Sequence, residues 1–348
     1  MRSTYRENDV NILLKDITGM IEPLDNIERE KRIQSGVHYS EMLPKEKLPS
    51  EDYLKTFYSS LENYALPTAK AVEILSRKII EEKGKDAVLV SLARAGTPVG
   101  VLLKRYIQLE YNVDIPHFTI SIIRGRGIDK NAMNYILKYY PPEKIQFVDG
   151  WTGKGAISNQ LREAMKDFDG IDDRVAVLSD PAGITDLCGT HQDFLIPSSC
   201  LNSTVSGLMS RTFYRSDIIG GNDFHGAMYY GEFEEHDKTN LFIDKITENF
   251  GKDYSFNEIP VTESPIEEVK NIAEKYNISD INFVKPGIGE TTRVLLRRIP
   301  WKILVHSFDD YEYLGHIYQL AKEKNIELEI YPFKAYKACG LIKRLADT

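Results

Sequence analysis

The chain has 348 residues, of which 42% are hydrophobic and 28% are charged, and its net charge is −8. This composition is typical of a soluble globular protein with enough residues for two domains, and the negative charge argues against non-specific nucleic-acid binding by the whole molecule. The sequence has neither a signal-peptide pattern nor an apolar run of membrane length, so we expect a cytoplasmic protein without a membrane partner.

The three cysteines, Cys188, Cys200 and Cys339, form no paired framework and have no metal-ligand spacing. Unpaired cysteines in small number are typical of proteins in a reducing compartment. We therefore expect three reduced thiols.

The first 60 residues have a mixed pattern, followed by a predicted helix from Tyr53 to Glu82 with a break at Pro67. Residues 36–44 are typical of an ordered loop, whose His38 is a candidate for contact with a substrate. The ordinary polarity of a surface loop explains this residue equally well.

A strand–loop–helix unit comes next, with a strand over residues 87–92 and a helix over residues 99–111. Its loop contains Arg94, Ala95, Gly96 and Thr97, which offer a cation, backbone N–H groups and a hydroxyl group to an anion.

The next segment contains a β-rich stretch over residues 118–123 and a short helix over residues 131–138. Between them, Arg124 and Arg126 flank a glycine on a predicted loop. Two interpretations stand: a mobile cover that closes over a polyanion, or a solvated turn.

A second strand–loop–helix unit follows, and its strand ends at the acidic residue Asp149. Glycines let the backbone of such a loop approach a ligand closely, and the helix predicted over residues 156–166 would direct its N–H groups at the loop. The pattern indicates a phosphate cradle formed by Gly150, Thr152, Gly153, Lys154 and Gly155. A Walker P-loop would need Ser or Thr after the lysine, where this chain has glycine.

The strand predicted over residues 174–181 ends at Asp180, a candidate carboxylate beside a metal ion. Ligands of open parallel sheets gather beyond the carboxyl ends of the strands, where this residue and the two loops would lie.

A segment rich in hydroxyl groups occupies residues 201–212. It predicts either an N-cap cluster that opens a helix or a hydrogen-bonding wall for an acceptor base. The candidate acceptor-binding residues, besides His38, are Asn202, Ser203, Thr204, Ser206 and Arg211. Residues 1–60 and 195–250 are the candidates for a hood over the site.

We place a domain boundary at residues 257/258, since a regular alternation of helices and strands follows it. A capping box at Ser264 opens the first helix. Strands are predicted over residues 281–284, 302–306 and 326–331, and helices over residues 291–298, 310–324 and 334–346.

A glycine-rich turn in this C-terminal part meets a helix N-terminus, an arrangement suited to backbone phosphates. The candidate RNA-binding residues are Gly289, Thr291, Arg293, Arg297 and Lys302. Residues 260–348 contain 13 basic and 13 acidic residues, so this part is neutral and lacks the basic footprint of many RNA-binding domains.

The loop after Asp149, together with the loop at Arg94, resembles the phosphoribosyltransferases that bind phosphoribosyl pyrophosphate (PRPP). The resemblance implies an α/β fold with a parallel sheet and a hood. It also implies that residues 152–155 hold the 5′-phosphate, that Asp149 binds the ribose, and that Arg94 binds the pyrophosphate with Arg124 and Arg126 closing over it. The family usually has a second acidic residue where this chain has Gly150.

The C-terminal part resembles the Pelota-like RNA-binding domains of the L7Ae type. The whole arrangement resembles a bacterial family linked to stress and tellurite-resistance gene clusters, some members of which carry a cysteine-protease label. In the sequence alone, neither Cys188 with His191 nor Cys200 gives a recognisable set of nucleophile, base and orienting group.

The predicted function is Mg²⁺-dependent transfer of a phosphoribosyl group from PRPP to a nucleobase-like acceptor. Mg²⁺ would be held largely by PRPP oxygens and water, with Asp180 nearby. Two alternatives remain: a PRPP or nucleotide sensor without catalysis, and an RNA-binding protein whose sheet domain is a scaffold. A homo-oligomer is compatible with the sequence.

Overall fold

The computed structural model describes residues 1–257, 264–298 and 300–342. Its helices are α1 (Asn26–Gln34), α2 (Glu51–Lys83), α3 (Thr97–Tyr111), α4 (Lys130–Leu137), α5 (Ala156–Met165), α6 (Thr239–Thr247), α7 (Pro265–Lys275), α8 (Ile288–Arg297) and α9 (Tyr311–Glu323).

The strands are β1 (Asn11–Ile12), β2 (Lys15–Asp16), β3 (Val88–Ala93), β4 (His117–Ile123), β5 (Gly127–Ile128), β6 (Ile145–Val148), β7 (Val175–Ser179), β8 (Cys188–Thr190), β9 (Gly226–Ala227), β10 (Val284–Pro286), β11 (Pro300–Val305), β12 (Leu328–Ile330) and β13 (Ala338–Ile342).

A mostly parallel seven-stranded sheet forms the centre of the N-terminal part. Its order is β1-β4-β3-β6-β7-β8, and β5 pairs antiparallel with β4. Helices cover both faces because residues of these strands are buried on alternate sides, as is typical of parallel sheets. Val88, Val90 and Leu92 of β3 pack towards α4 and α5, whereas Leu89 packs towards α2 and α3. The molecule is therefore an α/β protein, as predicted.

The loops after β3, β6 and β7 lie at the same edge of this sheet, because the three strands run parallel. Arg94, Asp149 and Asp180 follow these strands directly. The predicted grouping of polar residues beyond the carboxyl ends of the strands is confirmed.

The C-terminal part is a small α/β unit built on a four-stranded sheet of order β10-β13-β11-β12. Strand β13 pairs antiparallel with β10 and β11, while β11 and β12 are parallel. Helix α8 packs against β13 so closely that a side chain at Gly340 would meet Val294 at 3.0 Å.

Three local predictions are wrong. The helix predicted over residues 334–346 is strand β13 within the described range, and residues 343–348 lie outside it. Its apolar run is buried in the middle of a sheet, and a short apolar run fits a strand as well as a helix. The strand predicted over residues 281–284 is a 3₁₀ turn (Ile281–Phe283) followed by β10. Pro67 lies inside α2, where packing of the buried face outweighs the lost hydrogen bond.

The first helix of the C-terminal part begins where the capping box was predicted, at Ser264, but no side-chain cap bond forms there. The predicted boundary at residues 257/258 adjoins residues 258–263, which lie outside the described ranges. None of the described helices combines the length and apolar content needed to cross a membrane.

The two parts share a continuous apolar core. Helix α8 contributes Ile288, Leu295 and Leu296 to the same buried cluster as Ala71 of α2 and Leu195. The glycine loop, defined here as residues 149–155, lies against the C-terminal part, since a side chain at Gly153 would meet Glu290 at 3.6 Å.

Candidate active site

A cysteine, a histidine and an aspartate meet where the last two strands of the central sheet end. Asp180 follows β7 directly, and β8 begins at Cys188 and is followed by His191. Strands β7 and β8 are parallel neighbours, and β8 is only three residues long, so the three side chains converge. We call Asp180, Cys188 and His191 the thiol cluster.

The distances in the thiol cluster determine which ring nitrogen can act as a base. His191 Nδ1 lies 2.9 Å from the backbone carbonyl oxygen of Asp180. A carbonyl oxygen only accepts hydrogen bonds, so Nδ1 carries the proton and Nε2 keeps its lone pair. The Cys188 Sγ lies 3.5 Å from Nε2. The thiol is therefore placed to give its proton to His191.

The Asp180 carboxylate is the third group of the thiol cluster. Its Oδ2 lies 3.6 Å from His191 Nδ1 and accepts a hydrogen bond of 2.9 Å from the Thr185 backbone N–H. Its Oδ1 accepts a bond from the Thr152 hydroxyl group of the glycine loop. Two hydrogen bonds therefore hold the carboxylate on the Nδ1 side of the imidazole ring.

Burial differs sharply within the cluster. Asp180 is fully buried and Cys188 is 1% exposed, whereas the His191 side chain is 36% exposed. The approach to the sulfur atom therefore runs past the imidazole ring.

The glycine loop lies beside the thiol cluster and is covered by the C-terminal part. Tyr336 donates a hydrogen bond of 2.8 Å to the carbonyl oxygen of Gly153. The Lys154 ammonium group donates to the carbonyl oxygens of Ile281 and Val284. Burial beside Lys285 lowers the pKa of Lys154 to about 8. Gly153 and Lys154 of the predicted phosphate cradle therefore form hydrogen bonds with residues of the C-terminal part.

Asp149 is half-buried as a residue, but its carboxyl group lies deep enough that desolvation raises its pKa to about 6. The opposing contribution is a hydrogen bond of 2.8 Å from the Gly150 backbone N–H. Gly150 occupies a site with space for a side chain, whereas Gly155 has a φ of +79° that favours glycine.

The loop after β3 is tied into the fold. Arg94 donates to the carbonyl oxygen of Met209 at 2.6 Å and to Asn202 at 3.3 Å. Gly96 packs against β6, where a side chain would meet the carbonyl oxygen of Val148 at 2.4 Å, and Ala95 precedes it. Thr97 is buried and bonds Thr119 at 2.8 Å.

The predicted mobile cover is a tethered hairpin between β4 and β5. Arg126 forms an ion pair with Glu41 and lies over the ring of Tyr214. Arg124 donates to Asn282 of the C-terminal part at 3.4 Å. The two arginines therefore point in different directions.

The predicted acceptor wall is an irregular segment with a 3₁₀ turn at Ser203–Val205. Ser203 bonds Glu46, Ser206 bonds the Asn202 carbonyl oxygen, and Thr204 is buried. These bonds hold the segment together.

Two further predicted acceptor residues lie next to the same aromatic ring. Arg211 lies over the ring of Tyr39, 4.7 Å from its centroid. His38 stacks on Tyr39 and bonds Ser40, and burial lowers the pKa of its imidazole ring.

Two of the predicted RNA-binding residues face the glycine loop. Gly289 packs on Trp151, and Arg293 lies over the same ring, 4.5 Å from its centroid. Thr291 is buried and bonds the Lys285 carbonyl oxygen. Arg297 ends α8.

Lys302 lies elsewhere, on β11, where its ammonium group binds Glu327 and Glu329 at 3.2 and 2.6 Å. Arg293 and Lys302 therefore contact different groups, Trp151 in one case and the two glutamates in the other.

Comparison with known proteins connects the chain to a named family. Residues 3–247 match the model of the tellurite-like stress resistance cysteine protease StiP, and residues 263–344 match that of the PELOTA RNA binding domain. The cysteine protease StiP of Acinetobacter baylyi is 35% identical over 364 positions, which cover 98% of this chain and 94% of that protein.

The chain belongs to the StiP family. The predicted membership of a stress- and tellurite-linked family with a C-terminal Pelota-type domain is thereby confirmed. A crystal structure of a hypoxanthine-guanine phosphoribosyltransferase from Bacillus anthracis covers 34% of this chain and 68% of its own, at 16% identity. Its TM-score of 0.25 is too low to support an argument about fold or function.

The prediction of Mg²⁺-dependent phosphoribosyl transfer is wrong. Both the StiP family model and the Acinetobacter relative are named as a cysteine protease, not as a phosphoribosyltransferase. The tethered loops at Arg94 and Lys154 are consistent with this correction, since protein groups already bind them. Binding of Mg²⁺ by this protein stays a prediction.

Cys188 and His191 have a third polar group beside them that their own segment does not show. The fold brings Asp180 to them from a neighbouring strand. A local signal was present in the Cys-x-x-His spacing, but the aspartate lies eight residues before the cysteine, across a loop.

Proposed function

We propose that this StiP-family protein is a thiol-dependent amide hydrolase with Cys188 as nucleophile, His191 as general base and Asp180 as the orienting group. The observation that carries the proposal is the 3.5 Å separation of Cys188 Sγ from His191 Nε2, with Nδ1 bound to the Asp180 carbonyl oxygen. This is the arrangement by which a cysteine is activated through an adjacent base. The family name and the relative's name point to the same chemistry.

The reaction follows from the positions of the protons. His191 Nε2 takes the thiol proton, and the sulfur atom forms a bond to the amide carbon of the substrate. The C–N bond breaks as His191 returns the proton to the leaving amine. A water molecule, deprotonated by His191, then hydrolyses the thioester and restores the thiol.

The other two cysteines lie in different surroundings. Cys200 is fully buried and has the Ser60 hydroxyl group at 3.7 Å. Cys339 lies in the core of the C-terminal part, where burial raises the pKa of its thiol far above the usual range. A thiolate is the reactive form, so Cys339 is unsuited to be a nucleophile.

The test compares Cys188→Ser and His191→Gln with the matched control Cys200→Ser. Hydrolysis of an unfolded, fluorescently labelled protein should fall by at least about 10³-fold in the first two variants, as removal of a nucleophile or its base does elsewhere. The control should keep the wild-type rate. A wild type without hydrolysis, or a Cys188→Ser variant with the wild-type rate, would overturn the proposal.

A second function, RNA binding, is favoured by an aromatic face on the C-terminal part, whose Lys275 is paired with Glu329. Tyr276 packs edge-on against Trp301, which is 39% exposed. The Lys275 ammonium group lies about 5 Å from the ring centroids of Tyr276 and Tyr331. The exposed ring of Trp301, beside two half-buried tyrosine rings, is suited to stack a single-stranded base, and the PELOTA domain match covers this face.

Fluorescence anisotropy with a labelled single-stranded RNA tests this face. Trp301→Ala should weaken binding by about 1–3 kcal/mol, the usual contribution of one base–aromatic stack. The matched control is Tyr311→Ala, which removes another exposed ring, on α9. Equal affinities of the Trp301 variant and the control would show that the face is not used.

A further inference from the structure

We infer that the thiol cluster is also a binding site for a thiophilic divalent cation of the zinc class. Asp180, Cys188 and His191 each offer one ligand atom, and these atoms lie within 4.8 Å of one another. Thiolate, imidazole and carboxylate are the three donor types that Zn²⁺ takes in proteins.

The separations fit a single ion. Tetrahedral coordination with bonds of about 2.0–2.3 Å places neighbouring ligand atoms about 3.3–3.8 Å apart. Cys188 Sγ and His191 Nε2 are 3.5 Å apart, within this range, whereas Asp180 Oδ2 lies 3.6 Å from Nδ1, the other nitrogen of the ring. Cys188 and His191 are therefore spaced for one ion, and we expect a rotation of the His191 or Asp180 side chain to bring the carboxylate to it.

The surroundings already orient the ligands. The bond from Nδ1 to the Asp180 carbonyl oxygen leaves Nε2 as the ligating nitrogen, as is usual for metal-bound histidines. Thr152 and the Thr185 backbone N–H each bind one oxygen of the Asp180 carboxylate. Each oxygen has a second lone pair, so these bonds leave it able to bind a metal ion.

Burial of the carboxylate adds a reason for a cation. Asp180 is fully buried, and in the described part of the chain its ion-pair partner is His191. A buried carboxylate is costly unless it is paired or binds a metal, and a divalent ion compensates it more fully than an imidazole ring. The partly exposed His191 side chain marks the route of entry.

Metal binding would control the proposed hydrolase, a consequence that rests on the proposed function. The sulfur–metal bond forms in place of the S–H bond, and the thiol proton goes to solvent. The metal-bound thiolate is then no longer available to attack an amide. Three protein ligands leave one tetrahedral position for water.

The test is titration of the metal-stripped full chain with Cd²⁺, followed by the ultraviolet absorption of the cadmium–thiolate bond, and with Zn²⁺ by calorimetry. We expect one ion per chain in the wild type and in Cys200→Ser. Cys188→Ser should lose the absorption band, and Thr152→Val should bind at least about tenfold more weakly because it frees the Asp180 carboxylate.

Thr152→Val keeps all three ligands, so it tests the site even where replacement of Cys188 disturbs folding. Absence of the band in the wild type, or an unchanged band in Cys188→Ser, would overturn the inference. No substrate is present in these titrations, so their failure leaves the hydrolase proposal standing. Likewise, a loss of hydrolysis in Cys188→Ser says nothing about the metal.

Discussion

Asp193 is a buried carboxyl group that joins the two parts of the chain. It accepts hydrogen bonds of 2.9 Å from the backbone N–H groups of Ile288 and Lys337. Desolvation nevertheless dominates and raises its pKa from 3.8 to about 6. The folded protein therefore holds a proton here over a pH range in which the unfolded chain has released it.

This pKa predicts how stability changes with pH. The contribution of Asp193 is fully present below pH 3.8 and is lost as the pH rises through about 6. The free energy of unfolding of the wild type minus that of Asp193→Asn should be about 2 kcal/mol larger at about pH 4.5 than at about pH 7.5. Denaturant unfolding at both pH values measures this difference.

The exposed residue Asp169 provides the control, because Asp169→Asn should keep the pH dependence of the wild type. Asp193→Asn loses one carboxylate acceptor and should be less stable at both pH values. A pH dependence of this variant parallel to that of the wild type would contradict the assignment.

At the scale of elements, β8 depends on the absence of a side chain at Gly189. A Cβ atom there would lie 2.5 Å from the carbonyl oxygen of Ala71 and 2.7 Å from its Cα. Both are backbone atoms of α2, so the strand and the helix would have to separate. The close contact holds Cys188 and Thr190, the residues on either side of Gly189, in place.

Gly189→Ala should lower the free energy of unfolding by about 1–3 kcal/mol, the usual cost of overpacking. It should also weaken metal binding and hydrolysis, since β8 carries Cys188. Thermal and denaturant unfolding measure the first effect. The control is Gly221→Ala, which should be as stable as the wild type because a Cβ atom there would have no atom within 4 Å. Equal stability of the two variants would show that α2 can move away from β8 without loss of stability.

Elements with strong local patterns were predictable, and the failures share one cause. The strand at residues 88–93, the loop at Arg94 and the helix at 97–111 follow from apolar periodicity and glycine placement. Strand β13 and the unbroken helix α2 could not be predicted in this way, because segments distant in the sequence bury them and so decide their secondary structure. A central strand and a helix can have the same short apolar run.

The candidate site was less predictable than the fold, for the same reason. The sequence indicates that Asp180 lies at a strand end, and the parallel sheet places it near the other loops. Nothing local shows that β8 returns beside β7 and brings Cys188 and His191 to it. The pairing of Val177 with Cys188 is a property of the sheet, not of either segment.

At the scale of the whole molecule, two parts that match separate family models share one core. The PELOTA match begins at residue 263, yet α8 packs with α2 and with residues near Leu195. The boundary between the two parts can be recognised in the sequence, because a regular alternation of helices and strands begins after it. Their contacts, such as Arg293 on Trp151, join residues more than 100 positions apart and leave no local pattern.

The short strand pair β2–β9 has a consequence for synthesis on the ribosome. Lys15 and Asp16 pair with Gly226 and Ala227, so this strand pair can form only after more than 200 further residues have been synthesised. At about 5–20 residues per second, this wait lasts roughly 10–40 s. During that interval the apolar residues Ile17 and Leu43, which pack with Phe213 in the finished protein, have to be shielded in the nascent chain.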